Sequence, residues 1–192
     1  MVRSVSISLI GTDGLGVYKT MSKHSVKILA IDPGTKEIGV AFMEGGKLVY
    51  HGVKVIPIEK SPDEKLKEGR EIILRLIRDY KPNVLVVERS FFINNKTASL
   101  LHVFIDEIKA IGKRKGIKVV SYTPSTVRKF ITGNGRTSKK ELSVVIVSKY
   151  PELKVYLSQD RAWKDQYHQN MFDAVGLGLM AFMKVRQGKR QT

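Results

Sequence analysis

The sequence predicts an α/β fold: a mixed five-stranded sheet with helices on both faces. Three observations carry this. Two apolar runs, residues 28–31 and 84–87, are short, rich in β-branched residues, and bounded by polar or turn residues, as buried strands are. Residues 37–56 read as two strands joined by Glu44-Gly45-Gly46, a hairpin turn in which glycine accepts positive φ. Beyond residue 60 the pattern alternates helix, strand, helix, strand, helix. Hairpin-linked strands followed by such alternation require a sheet with both antiparallel and parallel pairs, covered by helices.

Residues 1–25 are rich in Ser and Gly and have no clear period. They are expected to be a poorly ordered extension, with Met21 an alternative start. Strands are then expected at Lys27–Asp32, Glu37–Met43 and Lys47–Ile56. Ser61-Pro62-Asp63-Glu64 opens a helix with an N-cap serine, a first-turn proline and a glutamate three residues on. Its buried stripe is Leu66, Ile73, Leu76, Ile77 and Tyr80, and Lys81-Pro82-Asn83 stops it. A strand ends at Glu88, a helix covers Lys96–Lys115, and a strand follows at Ile117–Tyr122. A short helix follows Pro124, another lies around Ser138–Tyr150, and the last spans His168–Val185. The expected organisation is one domain over 26–187 with a basic tail at 188–192, and no internal repeats.

Composition narrows the function. The 192 residues carry 34 Lys and Arg against 18 Asp and Glu, a formal net charge of +16. Between Lys109 and Lys154 twelve basic residues face two acidic ones. Such an excess suits a polyanion, and nucleic acid is favoured over anionic membrane because no amphipathic helix sets Lys and Trp on opposite faces. With no cysteine, disulfides, thiolate metal sites and cysteine nucleophiles are excluded. No apolar run approaches the ~18 residues of a membrane span, and the N-terminus lacks a signal-peptide pattern. A cytoplasmic, nucleoid-associated location is expected.

Asp32 ends one apolar run, before Pro33-Gly34, and Glu88 ends the other. The bland reading of Asp32 is a turn-capping residue. A carboxylate at a buried strand end otherwise needs a partner or a cation. Asp173 lies beside a helical stripe of Phe172, Val175, Leu179 and Met183, among small and apolar neighbours. If the three meet, they offer the hard oxygen ligands that divalent cations and two-metal phosphodiester cleavage need.

Four segments, in order, resemble the RuvC-type Holliday-junction resolvases of the RNase H-like superfamily. They are Ile28–Phe42, Val84–Ala98, Tyr122–Leu142 with Thr132-Gly133-Asn134-Gly135-Arg136-Thr137-Ser138-Lys139-Lys140, and Phe172-Asp173-Ala174. The resemblance spans roughly residues 27–183. It implies an RNase H-like sheet and a Mg²⁺-dependent, structure-selective endonuclease that nicks four-way junction DNA in pairs, in recombination and repair. Asp32, Glu88 and Asp173 match metal-binding acidic positions; two Mg²⁺ per site are implied, with Mn²⁺ expected to substitute. Phe91 matches an aromatic set against junction bases, and Asn95 is assigned to backbone contact. Arg128, Arg136 and Lys139 match basic positions near the scissile phosphate. A homodimer and a branch-migration helicase partner are also implied.

The chain departs from the family at the fourth metal position, one turn before the last Asp, where Asn170 replaces an Asp or His. Three readings stand open: Asn170 as an uncharged ligand, His168 as its replacement, or a weakened site. On a continuous helix His168 lies about 140° around from Asp173, so it reaches the site only if the helix begins after it. Leu100-Leu101-His102-Val103-Phe104-Ile105 also replaces the family's small-residue helix, which leaves the dimer geometry open. Segment 151–169, with the sole tryptophan Trp163, is an insertion of unassigned role. The competing functions are a junction-binding protein without catalysis, an RNase H-like nuclease on another branched DNA or RNA, and an actin-like phosphotransferase.

Overall fold

The computed structural model describes residues 25–57, 59–89, 96–157 and 162–188, without the side chains of 96–98 and 162–167. The expectations for residues 1–24, Phe91, Asn95 and the tail beyond 188, and any contact of the Trp163 ring, lie outside the described residues. Five strands, β1 (Lys27–Asp32), β2 (Glu37–Glu44), β3 (Lys47–Val55), β4 (Val84–Glu88) and β5 (Lys118–Tyr122), form one sheet in the order β3-β2-β1-β4-β5. The β1–β2 and β2–β3 pairs are antiparallel, while β1–β4 and β4–β5 are parallel. The hairpin at Gly45 and Gly46 turns on φ of 60° and 89°, which glycine adopts without steric cost.

Side-chain alternation divides the core. Leu29, Ile31, Ile38, Val40, Leu85 and Val87 point to one face, where α1 (Pro62–Tyr80) and α2 (Lys96–Arg114) cover them. Ile28, Ala30, Ala41, Met43, Val84 and Val86 point to the other. There they meet α3 (Pro124–Thr132), α4 (Lys139–Lys149) and α5 (Ala162–Gly188). The Leu100–Ile105 run serves this packing: Phe104 and Ile105 are core, while Val103 stays half exposed. The helix starts are chemically marked. Ser61 and Glu64 cap each other reciprocally, as do Ser138 and Glu141, and Thr123 caps α3.

Two expectations need correction. The last helix does not start at His168 but at Ala162, so it runs unbroken through His168 and Asn170 to Asp173. Between α4 and α5, Pro151–Tyr156 forms a short 3-10 helix that the sequence pattern leaves unassigned. Its Leu153 is fully buried in the α5-side core, so the start of the insertion is packed structure.

Candidate active site

Parity along the strands places the site. Residues 28 and 30 of β1 face α5, so Asp32, two further on, faces the same way. Residues 84 and 86 of β4 do likewise, which sends Glu88 to that face. β1 and β4 are parallel and adjacent in register, so their two carboxylates emerge side by side at one sheet end. They lie close enough to share a hydrogen bond when one of the two is protonated. The third carboxylate comes from α5, where Asp173 is buried at 7% exposure.

Gly39 lets α5 come this close. It pairs with Asp32 across the β1–β2 ladder, and a Cβ placed on it would overlap the backbone carbonyl of Asn170. The same Cβ would stand 3.2 Å from that of Asp32. Any side chain here would push this part of α5, and Asp173 with it, off the sheet.

Burial and like charge shape the electrostatics. Burial, followed by the nearby charges of Glu88 and Asp173, raises the Asp32 carboxyl well above its usual range. Burial and Asp173 push Glu88 up to about 7, against the opposing pull of Lys139, Arg128 and the Asp32 hydrogen bond. Lys139 supplies the balancing charge, its Nζ donating to Asp173 Oδ2 at 2.7 Å. Burial alone would lower the Lys139 ammonium, but Asp173, Asp32 and Glu88 together hold it above its usual value. Arg128 on α3 acts electrostatically on Glu88, and its Nε is buried with no hydrogen-bond partner among the described residues.

The remaining candidates separate. Arg136 lies on the α3–α4 loop. That loop is tied by Arg136 N–H donating to Asn134 Oδ1 at 3.0 Å and by the paired hydroxyls of Thr132 and Thr137 at 2.7 Å. His168 is corrected: with α5 starting before it, its ring packs on Tyr156 at 4.7 Å between centroids, and Tyr156 in turn meets the edge of His51 at 5.6 Å. Asn170 does lie near the carboxylates, but its Nδ2 donates to Glu37 Oε2 at 3.0 Å. Sequence reasoning missed Glu37. Its signal was parity, since it stands two residues before Gly39 on the α5-facing side of β2. Lys139 was expected on the DNA backbone, and its direct pairing with Asp173 was not foreseen.

A pair of raised carboxyls beside a third, buried acid is an arrangement that positive charge relieves. Lys139 provides one unit of it on Asp173, and as they stand no three acidic or histidine side chains among the described residues are arranged to hold an ion. The donor set, hard oxygens with no thiolate and no imidazole, fits Mg²⁺ or Mn²⁺ rather than zinc.

Comparisons with known proteins bear on the family and the fold. The family model described as "Crossover junction endodeoxyribonuclease RuvC" matches residues 28–160. A protein of that name from Fusobacterium nucleatum is 30% identical over 126 residues, covering 63% of this chain and 66% of the relative. Another, from Corynebacterium glutamicum, is 32% identical over 139 residues, covering 66% and 60%. The chain thus spans 66% and 60% of the length of these two relatives. The structure of Thermus thermophilus RuvC in complex with Holliday junction substrate shares the fold, with a TM-score of 0.65 over 85% of this chain and 96% of that one at 17% identity. Asn170 and Asp173 fall beyond the residues matched by the family model, and it is α5 that brings them to Asp32. With this strand order, and with Asp32, Glu88 and Lys139 inside the matched span, the chain belongs to the RuvC family of crossover junction endodeoxyribonucleases.

Proposed function

We propose that this protein is a divalent-metal-dependent endonuclease that resolves four-way DNA junctions by paired, symmetric nicks. The observation that carries this reading is the meeting of Asp32, Glu88 and Asp173, from β1, β4 and α5, beside Lys139 and Arg128. Mutually repelling carboxyls, Asp173 buried and Asp32 and Glu88 partly so, are unfavourable for folding alone and favourable for holding cations. Family membership and the net charge of +16 support nucleic acid as the substrate.

In this reading Asp32, Glu88 and Asp173 would hold two Mg²⁺ ions, with Asn170 contributing its amide oxygen, and Mn²⁺ would substitute. Such ions, when bound, activate a water and stabilise the leaving 3′ oxygen of an in-line displacement. The chain's own residues do the rest. Arg128, with its unpaired Nε, receives a phosphate oxygen of the strand to be cut. Lys139 exchanges Asp173 for phosphate as the site fills. Arg136, on the tied loop, follows the backbone, while Phe91 and Asn95 engage an opened junction base and its backbone. A homodimer supplies two such sites for two equivalent strands.

The test is nicking of a mobile four-way junction beside matched duplex with Mg²⁺. Symmetric nicks confined to the junction are expected. Asp32→Asn, Glu88→Gln and Asp173→Asn should each abolish nicking, since each removes a charged metal ligand, while junction binding in Ca²⁺ survives. Equal cutting of duplex and junction would move the reading to another nucleic-acid substrate.

A further inference from the structure

Asn170 is the weak point of the proposed centre: an amide brings no charge where the site needs one. It does not stand alone, because its Nδ2 is hydrogen-bonded to Glu37 Oε2 at 3.0 Å. A carboxylate only accepts, so the amide end that faces Glu37 must be the nitrogen. That fixes the flip of Asn170 and turns Oδ1 to the opposite arm of the planar amide. The backbone of Asn170 is seated over Gly39, the cross-strand partner of Asp32, and Asp173 follows one turn later. Glu37 and Asn170 come from different elements, β2 and α5, and the close approach at Gly39 brings them together.

We propose that Glu37 is a positioning residue that completes the metal centre through Asn170. Glu37 orients the amide so that oxygen, not nitrogen, faces the ions. Its negative charge also polarises the amide along the N–H···O⁻ bond, which makes Oδ1 a stronger donor. The arrangement parallels metal-bound histidines, whose second ring nitrogen donates to a carboxylate that fixes orientation and raises basicity. The negative charge missing from residue 170 is thereby supplied from residue 37. This rests on the metal-dependent reading of the site above.

The test is a pairwise exchange read on metal binding without DNA, by calorimetry and by the Mn²⁺- or Mg²⁺-induced thermal shift. Glu37→Gln removes the charge, and Glu37→Ala removes orientation as well; each should weaken metal binding about 10–100-fold, the usual effect of losing such a partner. Asn170→Asp alone sets two carboxylates against each other and should gain little or lose. The double variant Glu37→Gln/Asn170→Asp restores one amide and one carboxylate in exchanged order. It should bind metal at least as tightly as the wild type, and its Mg²⁺ requirement for junction nicking should recover with it. A merely structural Glu37 would instead lower the metal-free melting temperature and leave the metal midpoint unmoved. That result would overturn the inference, and so would an Asn170→Asp single variant that binds metal more tightly than the double variant. A wild type that binds no metal, and is indistinguishable from Asp32→Asn, would overturn the metal reading and this inference with it.

Discussion

Glu88 and Asp32 bind protons more tightly in the folded chain than when exposed, and the cause is burial followed by the neighbouring acids. Without divalent metal the folded state is therefore favoured at low pH and loses this advantage as the pH rises from the ordinary 4.5 of a glutamate through about 7. For Glu88 the loss amounts to roughly 3 kcal/mol at most. Glu88→Gln, a neutral isostere, should match the wild type at pH 5 in EDTA and exceed it in melting temperature at pH 8. Mg²⁺ should reverse the order at pH 8, because only the ionised carboxylates take the ion. A wild-type advantage at pH 8 in EDTA would show that Glu88 is not buried among acids. Asp32, Glu88 and Asp173 were legible in the sequence, because a carboxylate that ends an apolar run or sits within one is unusual whatever its surroundings. The Lys139–Asp173 and Glu37–Asn170 pairs were not: each joins elements 34 or 133 residues apart, and one surface-type residue of this kind looks like any other.

At the scale of elements, the site depends on where helices start and how closely they approach the sheet. Lys139 is the first residue of α4, and the reciprocal cap between Ser138 and Glu141 fixes that start. Ser138→Ala should cost ~1 kcal/mol of stability, the usual value of an N-cap. It should also slow nicking beyond what that loss explains, since the Lys139 ammonium loses its fixed origin; melting curves and junction kinetics on the same sample separate the two effects. Gly39→Ala tests the α5 approach. The added Cβ meets backbone rather than a flexible side chain, so a loss of roughly 1–3 kcal/mol is expected, together with weakened metal binding. Unchanged metal affinity in a folded Gly39→Ala protein would mean that the seat of α5 does not control Asp173. Strand and helix identities were readable from periodicity and caps, and the α1 bounds, Pro62 to Tyr80, follow directly from its capping box and the Lys81-Pro82-Asn83 stop. The start of α5 was not readable. Residues 162–167 carry neither an apolar stripe nor a cap residue in the expected place, and the misplaced start is what kept His168 open as a ligand.

The whole molecule sets its own field. Six Lys and Arg against one Glu lie in residues 124–149, the span of α3, the tied loop and α4, on the side of the sheet that carries Asp32 and Glu88; they are one part of a net charge of +16. That part of the attraction to a polyanion falls on the face where the three acids meet. Junction affinity should fall steeply with salt, since each phosphate neutralised releases about one counterion. Within that total, position matters more than charge. Arg136, on a loop held by Asn134, Thr132 and Thr137, should act uniformly if it meets the DNA backbone as proposed. Arg136→Ala should reduce the slope of log K against log salt by about 1 and leave the metal requirement unchanged. Arg128 differs, because its guanidinium acts on Glu88 and carries an unpaired buried Nε. Arg128→Ala should lower the nicking rate at saturating junction far more than it lowers affinity, whereas Arg136→Ala should do the reverse. Salt titrations of binding in Ca²⁺, set beside single-turnover nicking in Mg²⁺, read both quantities. Equal behaviour of the two variants would place both arginines on the general field and leave no phosphate position beside Glu88.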